Sequence, residues 1–130
     1  MTEIAGKRKL IETLVLILVC VMMASFGQVY MKLGLTNVGG IGLSDLLSQR
    51  LFSVLFEEHV FIGIGLYAFS AILWLVVLSG SELSFAYPLV ALGYLVTAFL
   101  SRYYFGENIN IVRWLGILLI LGGVFLISKS

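Results

Sequence analysis

Two side chains in the stretch "ASFGQVYMKLG" (24–34) carry chemistry that an oily segment has little use for: the amide of Gln28 and the ammonium of Lys32, one helical turn apart. At about 100° per residue, Ser25, Gln28 and Lys32 fall in one narrow stripe, with Gly27 beside it thinning the wall. Lys32 sits near the end of its helix, where it can line a site or snorkel to the headgroups, and the negative end of the helix dipole favours it there. Gln28 lies a turn deeper. At that depth a polar side chain is expected to face a bundle interior or a wet cavity, because exposure to lipid is costly.

A second polar stripe runs down the third apolar segment. Tyr87, Tyr94 and Ser101 recur at seven-residue intervals, with Ser84 and Thr97 at adjoining positions. Pro88 lacks an N–H and leaves the carbonyl of Ser84 without its helical partner, so a hinge is expected there, eased by Gly93. The hydroxyls can equally be spent within the bundle, with the proline merely bending the helix. Four cations, Lys32, Arg50, Arg102 and Arg113, belong to one membrane side and could form an anion site, the arginine fork suiting phosphate. Topology signals and headgroup anchoring explain the same charges almost as well, and Glu107 is placed to neutralise Arg102 or Arg113. No Asp or Glu falls in the middle of a span, since Glu12 and Glu82 stand at helix starts. Proton-coupled export of organic cations would need such a buried carboxylate.

The elements that must hold these residues are membrane helices. The 130 residues are 61% hydrophobic and 12% charged with a mean hydropathy of +1.11, far from a soluble domain. Four continuous apolar runs reach the roughly 20 residues needed to cross a bilayer: Leu10–Leu35, His59–Leu78, Leu83–Phe105 and Ile109–Ile127. This predicts an all-α, multi-pass bundle forming a single transmembrane domain over 1–130. The first run follows Lys7, Arg8 and Lys9 but is too long for a signal h-region, and it is read as a helix. Cys20 has no partner for an intrachain disulfide and reads as a small packing residue.

Basic residues divide four against four between the two sides, so charge sets no firm orientation, although the basic N-terminal cluster weakly favours a cytoplasmic N-terminus. The second and third connections are short, with Gly80 suited to end one helix and Ser81 to cap the next. The first is long. In it Leu43, Leu47, Leu51, Val54 and Leu55 recur at helical spacing, predicting a short amphipathic helix over about 43–58 that lies on the membrane surface or packs on the bundle end. On the last span Gly116 and Gly123, with Gly122 adjacent, suit close helix approach and are assigned to a dimer contact, the alternative being packing within one subunit. His59 reads as an interfacial anchor rather than a metal ligand. With no triad, phosphate-cradling glycine loop or CxxC pair, neither an enzyme nor a cofactor or metal is expected, and the charge pattern says nothing of nucleic acid.

With "GQVYMK" in the first span and "LWLVVLSGSELSFAYPLVALGYLVTAFLSRYYFGENINIVRWLGILLILGGVFLIS" through the rest, the chain resembles the four-helix members of the drug/metabolite transporter superfamily, EamA-like and small multidrug resistance-like proteins. Within it, the chain is most similar to the small subunits of the flippase for aminoarabinose-phosphoundecaprenol. The resemblance implies a pair of subunits, identical or mixed, in a bacterial or archaeal inner membrane. It also puts Gln28, Lys32, Tyr87 and Pro88 on the substrate side and Gly116 and Gly123 at the subunit contact. In the cation-exporting branch an essential glutamate precedes the helix-one lysine by a little over two turns, and here that place is Ala24. The expected function is flipping of a polyprenyl-phosphate-linked sugar or related anionic lipid, with Gln28, Lys32, Tyr87, Tyr94, Ser101, Arg102 and Arg113 binding the cargo. The rival is an exporter of cationic or polar solutes using tyrosines, serines and Trp74. A third reading is a structural partner active only beside another subunit.

Overall fold

The computed structural model describes residues 2–130, with side chains from Glu3 onward. The described residues are all-α, and four helical stretches are long and apolar enough to cross a membrane. The first is α1 (Thr2–Asn37), which starts earlier than its apolar core because nothing in "EIAGKRK" breaks a helix. An Arg8–Glu12 ion pair at 3.5 Å, one turn apart, supports that extension.

The long connection does not form one amphipathic helix. A 3-10 turn covers Leu43–Leu47 and a separate short helix, α2, covers Arg50–Leu55. Local side-chain bonds explain the interruption: the Asp45 carboxylate accepts from the Gly42 N–H, while Ser48 donates to the Asp45 carbonyl and accepts from the Arg50 N–H. Of the apolar residues at helical spacing only Val54 is buried, and Leu43 and Leu47 are exposed.

The second span is α3 (Glu58–Gly80), capped by Glu57, whose carboxylate accepts from the Val60 N–H at 2.9 Å. Gly80 ends it as expected, but Ser81 belongs to its end, and the extended residue that opens the next helix is Glu82. The third span is divided into α4 (Leu83–Leu89) and α5 (Leu92–Phe105). Around Val90 and Ala91 the bonds tighten, Val90 N–H to Tyr87 and Ala91 N–H to Pro88, so the break falls just beyond the proline. Gly106, at a φ of 63°, turns the chain out of α5. The fourth span, α6 (Ile111–Lys129), starts two residues later than the apolar run suggests, because the Asn110 side chain caps it by accepting from the Arg113 N–H at 2.9 Å.

Packing is uneven. The most extensive contact is between α1 and α3, made possible by facing glycines: a Cβ on Gly63 would stand 2.6 Å from the Gly27 carbonyl and 2.7 Å from the Met31 nitrogen. On its other side α1 meets α5, and α6 leans on α4 and on α5. Ile17, Val21, Val77, Ala86, Leu89 and Val124, drawn from α1, α3, α4 and α6, form the buried core, with Trp74 packed against it. That core sits toward the end of the bundle that holds both termini.

Candidate functional site

Beyond the core, toward the ends of α1 and α5, the bundle opens. Between α1, α5 and the first turns of α6 lies a cavity of about 640 Å³. Its floor is apolar, including Val21, Val90 and Ile117, and its polar groups stand above that floor. At Gly93 α5 approaches α1 closely, and a Cβ there would meet Ser25 Oγ and Val21 Cγ1 at 3.2 Å. Past that point the two helices leave space that larger side chains do not fill.

Five of the expected site residues meet on this wall: Gln28, Lys32, Tyr94, Ser101 and Arg113. Two do not. Arg102 is exposed on another face of α5, since about 100° of rotation separates it from Ser101. Tyr87 is 65% exposed and belongs to α4, on the far side of the break, where the core rather than the cavity occupies the bundle. The stripe of Tyr87, Tyr94 and Ser101 is thus cut at Val90–Ala91. Arg50 also stands apart: its guanidinium donates to the carbonyls of Val38 at 3.0 Å and Gly40 at 2.7 Å, tying down the end of α1. Gly93, assigned to flexing, lies buried at the α1 contact and lines the cavity, and Pro88 precedes Val90 of the cavity floor by two residues.

The cations are not all free. Lys32 Nζ donates to Glu107 Oε1 and lies 4.8 Å from the centre of the Phe105 ring. Glu107 follows the Gly106 turn, and its neutralising partner is Lys32, not Arg102 or Arg113 as expected. The Lys32 hydrogen bond holds its carboxyl below the usual carboxylate range, and the charge of Arg113 adds to this. The mouth therefore carries two cations against one carboxylate. Sequence reasoning identified Glu107 as a neutraliser but missed it as a wall residue, because a loop position alone does not reveal which cation it reaches.

The hydroxyls are partly spent. Thr97 donates to the carbonyls of Gly93 and Tyr94, and Ser101 donates to that of Ala98. Donors facing the cavity are then the Gln28 amide, the Tyr94 phenol, the Lys32 ammonium and the Arg113 guanidinium. Such a set suits an anion at the mouth and a hydroxyl-rich group further in. Ala24 is on the wall too, so the position that holds a glutamate in the cation-exporting branch contributes only a methyl group here.

A second cavity of about 570 Å³ opens at the opposite end, with Lys9, Thr13, Glu82 and Ser84 on its wall. The buried core stands between the two. On α6, a Cβ on Gly116, Gly122 or Gly123 would meet nothing within 4 Å, so packing within the subunit does not account for these glycines. Trp74, part of the rival solute pocket, packs on the core rather than in the cavity.

Comparison with known proteins agrees with this architecture. The family model of the EamA-like transporter family matches residues 38–129. A protein of Pseudomonas fluorescens strain Pf0-1, named "Probable 4-amino-4-deoxy-L-arabinose-phosphoundecaprenol flippase subunit ArnE", is 32% identical over 118 residues, covering 88% of this chain and 96% of that relative. The similarly named subunit ArnF of Photorhabdus laumondii subsp. laumondii is 32% identical over 122 residues, covering 86% and 93%. An ArnE subunit of Pectobacterium atrosepticum is 37% identical over 81 residues, covering 62% and 67%. No solved structure matches the chain.

Proposed function

The chain belongs to the EamA-like transporter family, and from that premise we propose that it flips a polyprenyl-phosphate-linked sugar, or a related anionic lipid, across a bacterial or archaeal inner membrane. The observation that carries this reading is the one-sided cavity, apolar at its floor and cationic at its mouth. A lipid phosphate at headgroup level would meet Arg113 and Lys32, and the attached sugar would reach Tyr94 and Gln28, while the tail stays in the bilayer. The relatives named as flippase subunits for a phosphoundecaprenol-linked sugar support the same class of cargo.

Four helices are few to enclose a path, and α6 is the least buried of them. A second small subunit, identical or similar, is assigned to its glycine face, where backbones can approach closely. Rocking at the Val90–Ala91 break, beside Pro88 and Gly93, would part the core and connect the two cavities. The rival, proton-coupled export of organic cations, has no mid-span carboxylate to work with, since the wall position in question is Ala24.

Retention of undecaprenyl phosphate by the purified protein, read by native mass spectrometry, tests the proposal. Arg113→Ala should weaken binding roughly ten- to a hundredfold, the worth of a hydrogen bond to a charged group. Arg102→Ala, outside the cavity, should leave it near wild type. Equal affinities in wild type and Arg113→Ala would overturn the phosphate site.

A further inference from the structure

The connection from α1 to α3 carries large apolar side chains that the bundle does not cover. Leu43 is 86% exposed, Leu47 98%, Phe52 62% and Phe56 73%. In water, side chains of this kind would forgo the gain of apolar burial, and a contiguous patch of them marks a contact surface. We propose that this connection is a foot inserted into the lipid leaflet at the open end, its leucines and phenylalanines lying among the upper acyl chains. Such a foot sets the height of the chain in its bilayer, whatever the cargo.

What covers the patch follows from the surface that it continues. Val54 of α2 is buried, while Phe52 and Phe56, each about 200° round the helix from it and one turn apart, point the other way. Phe56 then stacks on Phe61 of α3, with ring centres 6.3 Å apart and planes at 18°. Phe61 shares an exposed apolar face of that span with Ile64 and Ile72, and on a membrane helix such a face meets lipid. The patch on the connection is therefore an extension of the lipid-facing surface of α3. Its charges are spent inward. The Asp45 carboxylate accepts from the Gly42 N–H, and Arg50 donates to the carbonyls of Val38 and Gly40, which also holds the segment against the end of α1. Between residues 41 and 56 Asp45 and Arg50 are the only charged side chains and cancel, so apolar burial rather than attraction to anionic headgroups must hold the foot.

Nitroxide labels on Leu47→Cys and, separately, Phe52→Cys test this in the full chain reconstituted in phosphatidylcholine vesicles. Native Cys20 is buried, and wild type treated with the same label reports any background from it. Power saturation should find each label more accessible to oxygen than to a water-soluble nickel chelate, at a depth of roughly 5–10 Å. Adding phosphatidylglycerol should leave that depth unchanged. Phe52→Ser with Phe56→Ser should lift the label at position 47 toward water and lower its oxygen-to-nickel ratio severalfold. Labels more accessible to nickel than to oxygen would overturn the foot by placing the connection in water. Low access to both reagents would overturn it in favour of a protein cover, a second copy or another chain. Insertion seen only with phosphatidylglycerol would overturn its apolar basis.

Discussion

The same helices build a shut region around Leu89 and an open one around Gln28. At the Leu89 level, Ile17, Val21, Val77, Ala86 and Val124 converge from four elements into one buried cluster. At the Gln28 level, α1 and α5 have drawn apart, and the residues between them are small or polar. Lipid tails are as apolar as leucine, so no hydrophobic drive favours closing either end, and packing alone decides. Where branched side chains interdigitate the bundle closes. Where alanine, serine and glutamine face one another it does not. The packed core thereby separates the larger cavity from the smaller one at the opposite end.

The sharpest way to break this contrast is to empty the shut region. Leu89 is only 2% exposed, and Leu89→Ala should remove about 2–5 kcal/mol of packing, toward the low end because lipid can pay part of the loss. Tyr94→Ala, at a side chain 53% exposed on the cavity wall, should change thermal stability far less while weakening lipid retention. Similar melting shifts for the two variants would mean that the shut region is no tighter than the open one.

Next in size is the seam that holds α1 to α3 along both regions. Gly63→Ala would push a methyl group against backbone atoms 2.6 and 2.7 Å away, which no rotamer change can relieve, and should cost about 1–3 kcal/mol. Gly116→Ala on α6 meets nothing within 4 Å and should leave the subunit's own stability unchanged. Its effect should appear instead in the fraction that migrates as a dimer. A loss of monomer stability in Gly116→Ala equal to that in Gly63→Ala would contradict the packing described for α6.

These two glycines mark the limits of what could be read from residues alone. Length and continuity of apolar runs are local properties, and all four spans were legible to within a few residues, apart from the polar start of α1. Gln28, Lys32, Tyr94, Ser101 and Arg113 share one cavity wall, in keeping with a polar side chain in an oily helix having few places to go. Tyr87 and Arg102 stand away from that cavity for geometric reasons, one cut off by the break after Pro88 and the other turned away by a single residue step. Gly63 passed unnoticed because its importance exists only against Gly27, on another helix. The pairing of Glu107 with Lys32 was hidden in the same way, being a contact between residues 75 positions apart.

The smallest effect concerns acid, and it should fall on the open region alone. Glu107 is held below its ordinary value of 4.5 by Lys32, and Glu57 by the Val60 N–H with help from His59 and Asn37, and both stand at the open end. A carboxylate with a lowered pKa in the folded chain contributes stability that is complete above its ordinary value and is lost as pH falls through the lower folded value. Acid should therefore loosen the open region first. The two tryptophans make this visible, since Trp74 packs on the shut core and Trp114, near the start of α6, meets Phe99 in a tilted contact with ring centres 5.4 Å apart. In Trp74→Phe, leaving Trp114, emission should change as pH drops below the usual carboxylate range. In Trp114→Phe, leaving Trp74, it should stay flat until the whole chain unfolds. Glu107→Gln should remove much of the Trp114 response, because the amide has no proton to gain. An acid response carried equally by Trp74 would mean that the two regions move as one body, and that the core is not a separate lock.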